Sequence, residues 1–583
     1  MSSPAVVLPT RLRRAAGLIS VARDRLLAVH PLYVLGTLIA VQWAALAALA
    51  LTVRHNGWVY YMGGDQLWHY SGADLLAHGH LAPTLVGVGW STILSPISWF
   101  AGPDLVSALP AIILFNALVL APLALLCLYG IAERIGGRLF GYWAGLLWVV
   151  VPYVGIWYAL PGYHQKWTEL TLPQILGLGA MSDFPSMVAL LVGAYLCLRA
   201  VDEGHWLWSA SAGFAVGYAV AIKPSNTVVL LAPALLLLAF RWRSLAGFAG
   251  GLVPPLFVLG LWKERGFGHL PAFSRAAPER RVAAGVGDVF KPLHKYTHDN
   301  SWVQLHNNLI QLREQLWSDR VLEFLVVAGI AALVIRSRRG GIFVGVWFLS
   351  FLLLKGTYLN SRVEDATFWR LLLPAFPAFV LLVAAVPLLL PGTRLRPSAP
   401  RPGRVSRRVA IGGATAACAL LVVFPATLIA AASPVHQPTI SALQVNATLV
   451  PVSAKLDLRA TRETNGVLLS WNLERPSSSS VFYRMYRTPT SGSSNCVVIG
   501  HGLPDKCGPG ENDLVCRVGS NAPDNCLLSG NAQSLGTTRQ GAWLDRPESG
   551  TWVYRVGLSA NWLNDPQFGD VYVFSRPVTV SIP

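Results

Sequence analysis

The chain has 583 residues, of which 53% are hydrophobic and only 13% charged, with a formal charge of +17. That balance excludes an ordinary soluble enzyme and points to a polytopic membrane protein. The basic runs flank apolar segments instead of forming one face of a soluble domain, so the charge does not indicate a nucleic-acid partner.

Residues 1–30 form an N-terminal segment carrying Arg11, Arg13, Arg14, Arg23 and Arg25. The apolar run at about 31–53 is too long for a signal-peptide core and reads as a first spanning helix. The positive-inside bias then puts the N-terminus in the cytoplasm. Past this span comes Tyr60-Tyr61-Met62-Gly63-Gly64-Asp65-Gln66-Leu67-Trp68-His69-Tyr70. The glycines suggest a turn, and Leu67, Tyr70, Leu75 and Leu76 then recur at roughly helical spacing. A short helix on the outer bilayer face with a carboxylate at its start makes a poor core element and a good site element. An acid at a helix start is also a favourable end charge, so the stretch decides nothing alone.

The outer loop 54–104 leads to spans at about 105–130 and 140–159. A second outer loop, 160–182, holds His164 and Trp167 and ends at Ser182-Asp183-Phe184-Pro185. Spans at about 184–200, 206–222, 225–240 and 245–262 follow, then a long outer segment, 263–319, rich in Arg, His and Trp. That segment has no tight ligand pair such as HExxH, so a zinc site is not assigned there. The remaining spans, at about 320–335, 342–358, 371–390 and 409–431, bring the count to about eleven. The basic clusters 11–25, 336–339 and 394–408 then all lie inside, in an inner (plasma) membrane, and the C-terminus lies outside.

From about residue 440 the pattern changes to short alternating strands separated by turns, including Gly466-Val467-Leu468-Leu469-Ser470-Trp471 and Gly550-Thr551-Trp552-Val553-Tyr554-Arg555-Val556. This region, 440–583, resembles a fibronectin type III β-sandwich. The resemblance implies Trp471 as the core tryptophan and Tyr554 as the corner tyrosine. Of the seven cysteines, Cys127, Cys197 and Cys418 lie in apolar runs. Cys496, Cys507, Cys516 and Cys526 crowd one polar stretch, an even set that suggests disulfides in an oxidising compartment with the pairing left open.

Lys223 ends an apolar run and precedes Pro224-Ser225-Asn226; Lys355 and Arg370 fall at the same outer depth. Single cations at span ends usually snorkel to headgroups, but three at one depth, against the positive-inside bias, make a site for an anionic headgroup. With Asp65 and Tyr70 in the first outer loop, Ser182-Asp183-Phe184-Pro185, Ile222-Lys223-Pro224-Ser225-Asn226 and Arg370-Leu371-Leu372-Leu373-Pro374-Ala375-Phe376-Pro377, residues 31–432 resemble the GT-C class of integral-membrane glycosyltransferases. The likeness is to the aminoarabinose transferase and protein O-mannosyltransferase branches. It implies transfer of a sugar from a polyprenyl-phosphate carrier to a hydroxyl of a glycan, lipid or protein on the outer face. Asp65 would be the catalytic base and Lys223, Lys355 and Arg370 the donor-phosphate ligands. Trp68, His69, Tyr70, His164, Trp167 and Asp183 would be further substrate contacts. Several relatives carry Asp-Glu where this chain has Asp65-Gln66. No metal ligand is assigned; a divalent metal is the one cofactor left open, and Gln66 removes the second acid that would bridge it. A transporter or flippase would place ionisable residues along mid-span, and the span centres here are nearly uncharged. A membrane-anchored adhesion or scaffold protein would not need so many spans.

Overall fold

The computed structural model describes residues 21, 23–52, 65–81, 86–102, 105–158, 177–266, 300–315, 319–364, 367–390 and 407–434. In the C-terminal region it describes 444–445, 448–449, 456–473, 481–490, 496–498, 514–516, 526–529, 533–538, 540–560 and 571–583. His164, Trp167 and Cys507 lie outside these residues, as do the side chains of Asp65, Trp68, Cys496, Cys516 and Cys526.

The chain is a helical membrane bundle followed by an all-β region. Where the sequence suggests about eleven spans, seven helical stretches among the described residues are long and apolar enough to cross a membrane: Pro31–Ala48, Ala108–Gly136, Asp183–Glu203, Pro224–Arg241, Ser244–Arg265, Arg338–Gly356 and Thr367–Leu389. Arg138–Val151, Trp206–Ile222 and Thr415–Ala431 are shorter apolar helices. The remaining expected span is the helix Asp319–Arg336, whose ends bring charged residues into so short an element.

Close packing in the bundle depends on small residues. A Cβ on Gly213 would come within 1.9 Å of the Phe248 carbonyl oxygen, and one on Gly251 within 1.9 Å of that of Ala210. Gly213 and Gly217 therefore face the stripe Gly247 and Gly251, and the helices Trp206–Ile222 and Ser244–Gly266 meet backbone to backbone. The helix Val88–Ala101 begins just as tightly against the end of this pair. A Cβ on Gly87 would lie 2.3 Å from the carbonyl oxygens of Ala221 and Ile222. Tyr218 Oη donates to the Gly89 carbonyl at 2.9 Å. The residue after Ile222 is Lys223, so this contact fixes where that lysine leaves its helix.

Opposite ends of one helix carry different charge clusters. At the end of Asp183–Glu203, Asp202 and Glu203 pair with Arg134 at 2.9 and 3.2 Å, and Asp202 also with Arg339 at 2.8 Å. Asp183 opens the same helix, roughly 30 Å away at 1.5 Å per residue, about the thickness of a bilayer core.

In the β region, Leu456–Glu463, Gly466–Leu473 and Ala542–Asp545 form one antiparallel sheet. Gln533–Thr538, Val481–Pro489 and Gly550–Ala560 form another, in which Val571–Phe574 and Val578–Ile582 both pair with the last. Leu469 and Trp471 from the first sheet pack with Tyr483, Met485, Tyr554 and Val556 from the second, the inner faces of a sandwich. The cysteine-rich stretch forms a separate small sheet in which Cys516 and Cys526 are opposed in register.

Tyr554 is fully buried and its hydroxyl donates to Asp545 Oδ2 at 2.9 Å; Arg487 Nη1 donates to the same carboxylate at 3.1 Å. Burial and the adjacent Asp545 carboxylate both push the Tyr554 hydroxyl pKa up. Residues 440–583 expressed alone in an oxidising compartment should fold, and Tyr554→Phe should cost about 1–3 kcal/mol in urea unfolding. Because the folded hydroxyl holds its proton more tightly than an unfolded tyrosine, this contribution is full below about pH 10, the unfolded value, and falls away as pH rises beyond it. The gap between wild type and variant should therefore narrow above that pH; a constant gap would mean the hydroxyl does not ionise differently in the two states.

Candidate active site

The loop Gly177–Ser182 delivers Asp183, and three buried side chains from distant helices hold it. Gln66, in the first turn of the helix Asp65–Ala77, accepts the Ala180 N–H on its Oε1 at 2.6 Å. Trp90 Nε1 donates to the Ala180 carbonyl at 2.7 Å. Asn116 Nδ2 donates to the carbonyls of Gly177 and Gly179 at 3.0 and 3.1 Å. Asn116 opens a π-helical turn, Asn116–Leu120, a local widening that often marks functional sites.

Asp183 is fully buried in the first turn of its helix, where the N-terminal dipole favours a negative charge. Lys223 Nζ donates to its Oδ1, and Arg370 Nε donates to its Oδ2 at 3.2 Å. Pro224 disfavours helical backbone at Lys223, which is extended between the helix Trp206–Ile222 and the 3-10 turn Pro224–Leu230. That turn is fastened one helical turn past Asp183: Asn226 Nδ2 donates to Ser186 Oγ at 2.6 Å, and Ser186 Oγ to the Ala219 carbonyl at 3.1 Å. Arg370 comes from the short helix Thr367–Leu372, ahead of the Pro374 turn. Lys355, in the last turn of Arg338–Gly356, is fully buried and within electrostatic reach of Lys223 and Asp183.

The cluster therefore holds three formal cations around one carboxylate. Side chains of Lys223 and Arg370 are 15% and 24% exposed, whereas that of Asp183 is 0% exposed. An approaching anion meets two reachable cations whose inner partner is already engaged. Each Asp183 oxygen accepts one hydrogen bond, from Lys223 and from Arg370. Among the described residues no group of three His, Cys, Asp or Glu could hold a metal.

The three expected phosphate ligands, Lys223, Lys355 and Arg370, are thus brought together. Asp183, expected as a substrate contact, sits at their centre as counter-charge. Asp65 is the first residue of its helix. His69 is buried, and Tyr70 is buried with its hydroxyl donating to the Gly102 carbonyl at 2.5 Å, a tether between two elements of the site wall. The parts of the site the sequence does not single out are Trp90, Asn116, Ser186 and Asn226. A polar Asn116 within an apolar span is the signal that could have marked one of them.

No protein-family model matches the sequence, and no curated protein matches it. Solved structures do. The archaeal oligosaccharyltransferase AglB from Archaeoglobus fulgidus, in complex with an inhibitory peptide and a dolichol-phosphate, is 13% identical with a TM-score of 0.37; the match covers 70% of this chain and 57% of that one. Its apo form gives 14% and 0.38 over the same shares. Arabinosyltransferase EmbB from Mycobacterium smegmatis is 15% identical with a TM-score of 0.35, covering 67% of this chain and 32% of that one. The chain is similar to glycosyltransferases of the GT-C class. It spans between a third and three fifths of the length of these proteins.

Removing the central carboxylate should expose the imbalance it masks. Asp183→Asn leaves buried cations uncompensated, and should destabilise the protein by about 3–5 kcal/mol. Thermal unfolding in detergent should show the loss, with inorganic phosphate restoring more stability to the variant than to wild type. An unchanged melting temperature would show that Asp183 is not the counter-charge.

Proposed function

We propose that this chain is a membrane glycosyltransferase that moves a sugar from a polyprenyl-phosphate carrier to an acceptor hydroxyl on the non-cytoplasmic face. The observation that carries this reading is the convergence of Lys223, Arg370 and Lys355 on the single buried carboxylate of Asp183 at one end of the bundle. A phosphate there supplies the missing negative charge while its lipid chain stays in the bilayer.

In the reaction, the acceptor oxygen bonds to the anomeric carbon as the bond from that carbon to the phosphate oxygen breaks. The electron pair goes to the leaving phosphate, where Lys223 and Arg370 stabilise the growing charge; losing one such donor typically costs about 10²–10³-fold. The acceptor proton goes to the carboxylate of Asp65, a general-base contribution typically worth about 10²–10⁴-fold. Trp68, His69, His164 and Trp167 serve as sugar contacts, and the β region orients the acceptor. If a divalent metal takes part, Asp65 is its candidate ligand, since both oxygens of Asp183 are engaged.

The deciding experiment is donor binding and turnover with purified full-length protein and a polyprenyl-phosphate sugar. Lys223→Ala and Arg370→Ala should weaken donor binding in folded protein. Asp65→Asn should lower turnover about 10²-fold or more with donor affinity little changed. Full activity of Asp65→Asn would end this mechanism. If Asp65 supplied only a helix-end charge, the substitution would cost at most about 1 kcal/mol of stability and leave turnover intact.

The same reading places the N-terminus in the cytoplasm and the β region outside. Membrane-impermeant thiol reagents should label a cysteine introduced at position 285 from outside, but not one at 337 or 400. Labelling of 285 only from inside would invert the topology. Outside, Cys496, Cys507, Cys516 and Cys526 are expected as two disulfides; four reactive thiols in the folded region would remove that part.

A further inference from the structure

Gln66 is fully buried, and its hydrogen bond to the Ala180 N–H at 2.6 Å spans 114 residues of sequence. Trp90 and Asn116 also hold the Gly177–Ser182 loop, but Gln66 alone of the three adjoins Asp65 in the chain and shares its helix start. Ala180 lies three residues before Asp183. One hydrogen bond therefore joins the helix that starts with Asp65 to the loop that delivers the carboxylate of the cation cluster. Tyr70 and Ala73 of that helix also lie in one buried apolar cluster with Ala180.

The amide suits that position. Its Oε1 supplies the acceptor the Ala180 N–H needs, and without it a backbone donor would be left unsatisfied in the interior. A glutamate would offer the same oxygen but would put a second negative charge beside Asp65, within a region whose cations are already shared. Gln66 Nε2 has no hydrogen-bond partner among the described residues, so the contact to Ala180 is the one by which this side chain is fixed there.

We propose that Gln66 is a positioning residue: through Ala180 it sets where Asp65 stands relative to the Asp183–Lys223–Arg370 cluster. Its role in transfer rests on the function proposed above, whereas the coupling of helix to loop does not. A misplacement of about 1 Å between reacting groups can cost about 10²-fold, so loosening this one contact should slow turnover without weakening donor binding.

The test compares wild type, Gln66→Met, which keeps the length but loses the acceptor oxygen, and Gln66→Glu, which keeps that oxygen. All are full-length proteins in nanodiscs. Hydrogen–deuterium exchange of the peptide containing Ala180 should speed up in Gln66→Met and stay near wild type in Gln66→Glu. With a polyprenyl-phosphate sugar as donor, Gln66→Met should lose about 10-fold or more in kcat with KM for the donor within about twofold of wild type. Gln66→Glu should recover much of that loss. Unchanged exchange in Gln66→Met would overturn the coupling whether or not the wild type is active. Faster exchange with unchanged kcat, a rise in KM alone, or a Gln66→Glu variant as slow as Gln66→Met would overturn the positioning role. If Gln66→Met does not fold, Gln66→Asn, one methylene too short to reach Ala180, takes its place in the same comparison. A wild type that transfers nothing from this donor would count against the proposed function, and the exchange measurement would still decide the coupling.

Discussion

The buried Asp183 carboxylate is the interaction on which one end of the bundle depends. It binds Lys223 and Arg370, 40 and 187 residues away in sequence, and lies within electrostatic reach of Lys355. An ion pair out of water contributes little net stability, because desolvation offsets the attraction, but breaking one leaves a buried charge at a cost of several kcal/mol. Such a group fixes geometry more than it adds stability. The end of Trp206–Ile222 and the short helix Thr367–Leu372 are thereby held to the start of one helix.

The surrounding scaffold can be read as the means of holding that start in place. Gln66, Trp90 and Asn116 take the polar backbone groups of the loop before Asp183, and Ser186 and Asn226 fasten the turn after Lys223. Loop backbone at membrane depth is tolerated only where its N–H and C=O groups are satisfied inside the protein. The glycines at 87, 213 and 251 work on a different scale, letting helices approach until backbones touch. A side chain at any of the three would push apart helices that carry site residues at their ends.

Much of this was legible in the sequence, and what was not has a physical reason. Lys223, Lys355 and Arg370 stood out because lone cations at the outer ends of apolar runs oppose the positive-inside bias. Their common carboxylate could not be chosen from sequence, since pairing over 187 residues leaves no local pattern. The motif that marks Asp183 and Tyr70 as substrate contacts does not encode their internal partners, which are Lys223 and Arg370 for the one and the Gly102 carbonyl for the other. Gln66 looked like a gap in the pattern of the relatives; burial and its bond to Ala180 give it work of its own. In the β region, alternation and turn residues marked the strands and Trp471 and Tyr554 as core. The Asp545–Arg487 partnership of Tyr554 depends on how two sheets face each other, which periodicity within one strand does not encode.

The two ends of the helix Asp183–Glu203 show why equal numbers of cations can have different consequences. At the Glu203 end, Arg134, Arg199 and Arg339 share the carboxylates of Asp202 and Glu203, which are 28% and 30% exposed. Water and salt reach those carboxylates and Arg339, so their exposed pairs are screened and add little, although the Arg134 side chain is only 3% exposed. At the Asp183 end the carboxylate is fully buried and pairs with Lys223 and Arg370, and the fully buried Lys355 lies within electrostatic reach. Screening fails there, and between unit charges about 4 Å apart the interaction is on the order of 4 kcal/mol at an effective dielectric constant of 20. A surplus that solvent cannot neutralise is relieved by an anion brought to the site. The two ends of one helix thus differ in how far solvent reaches the charges gathered there.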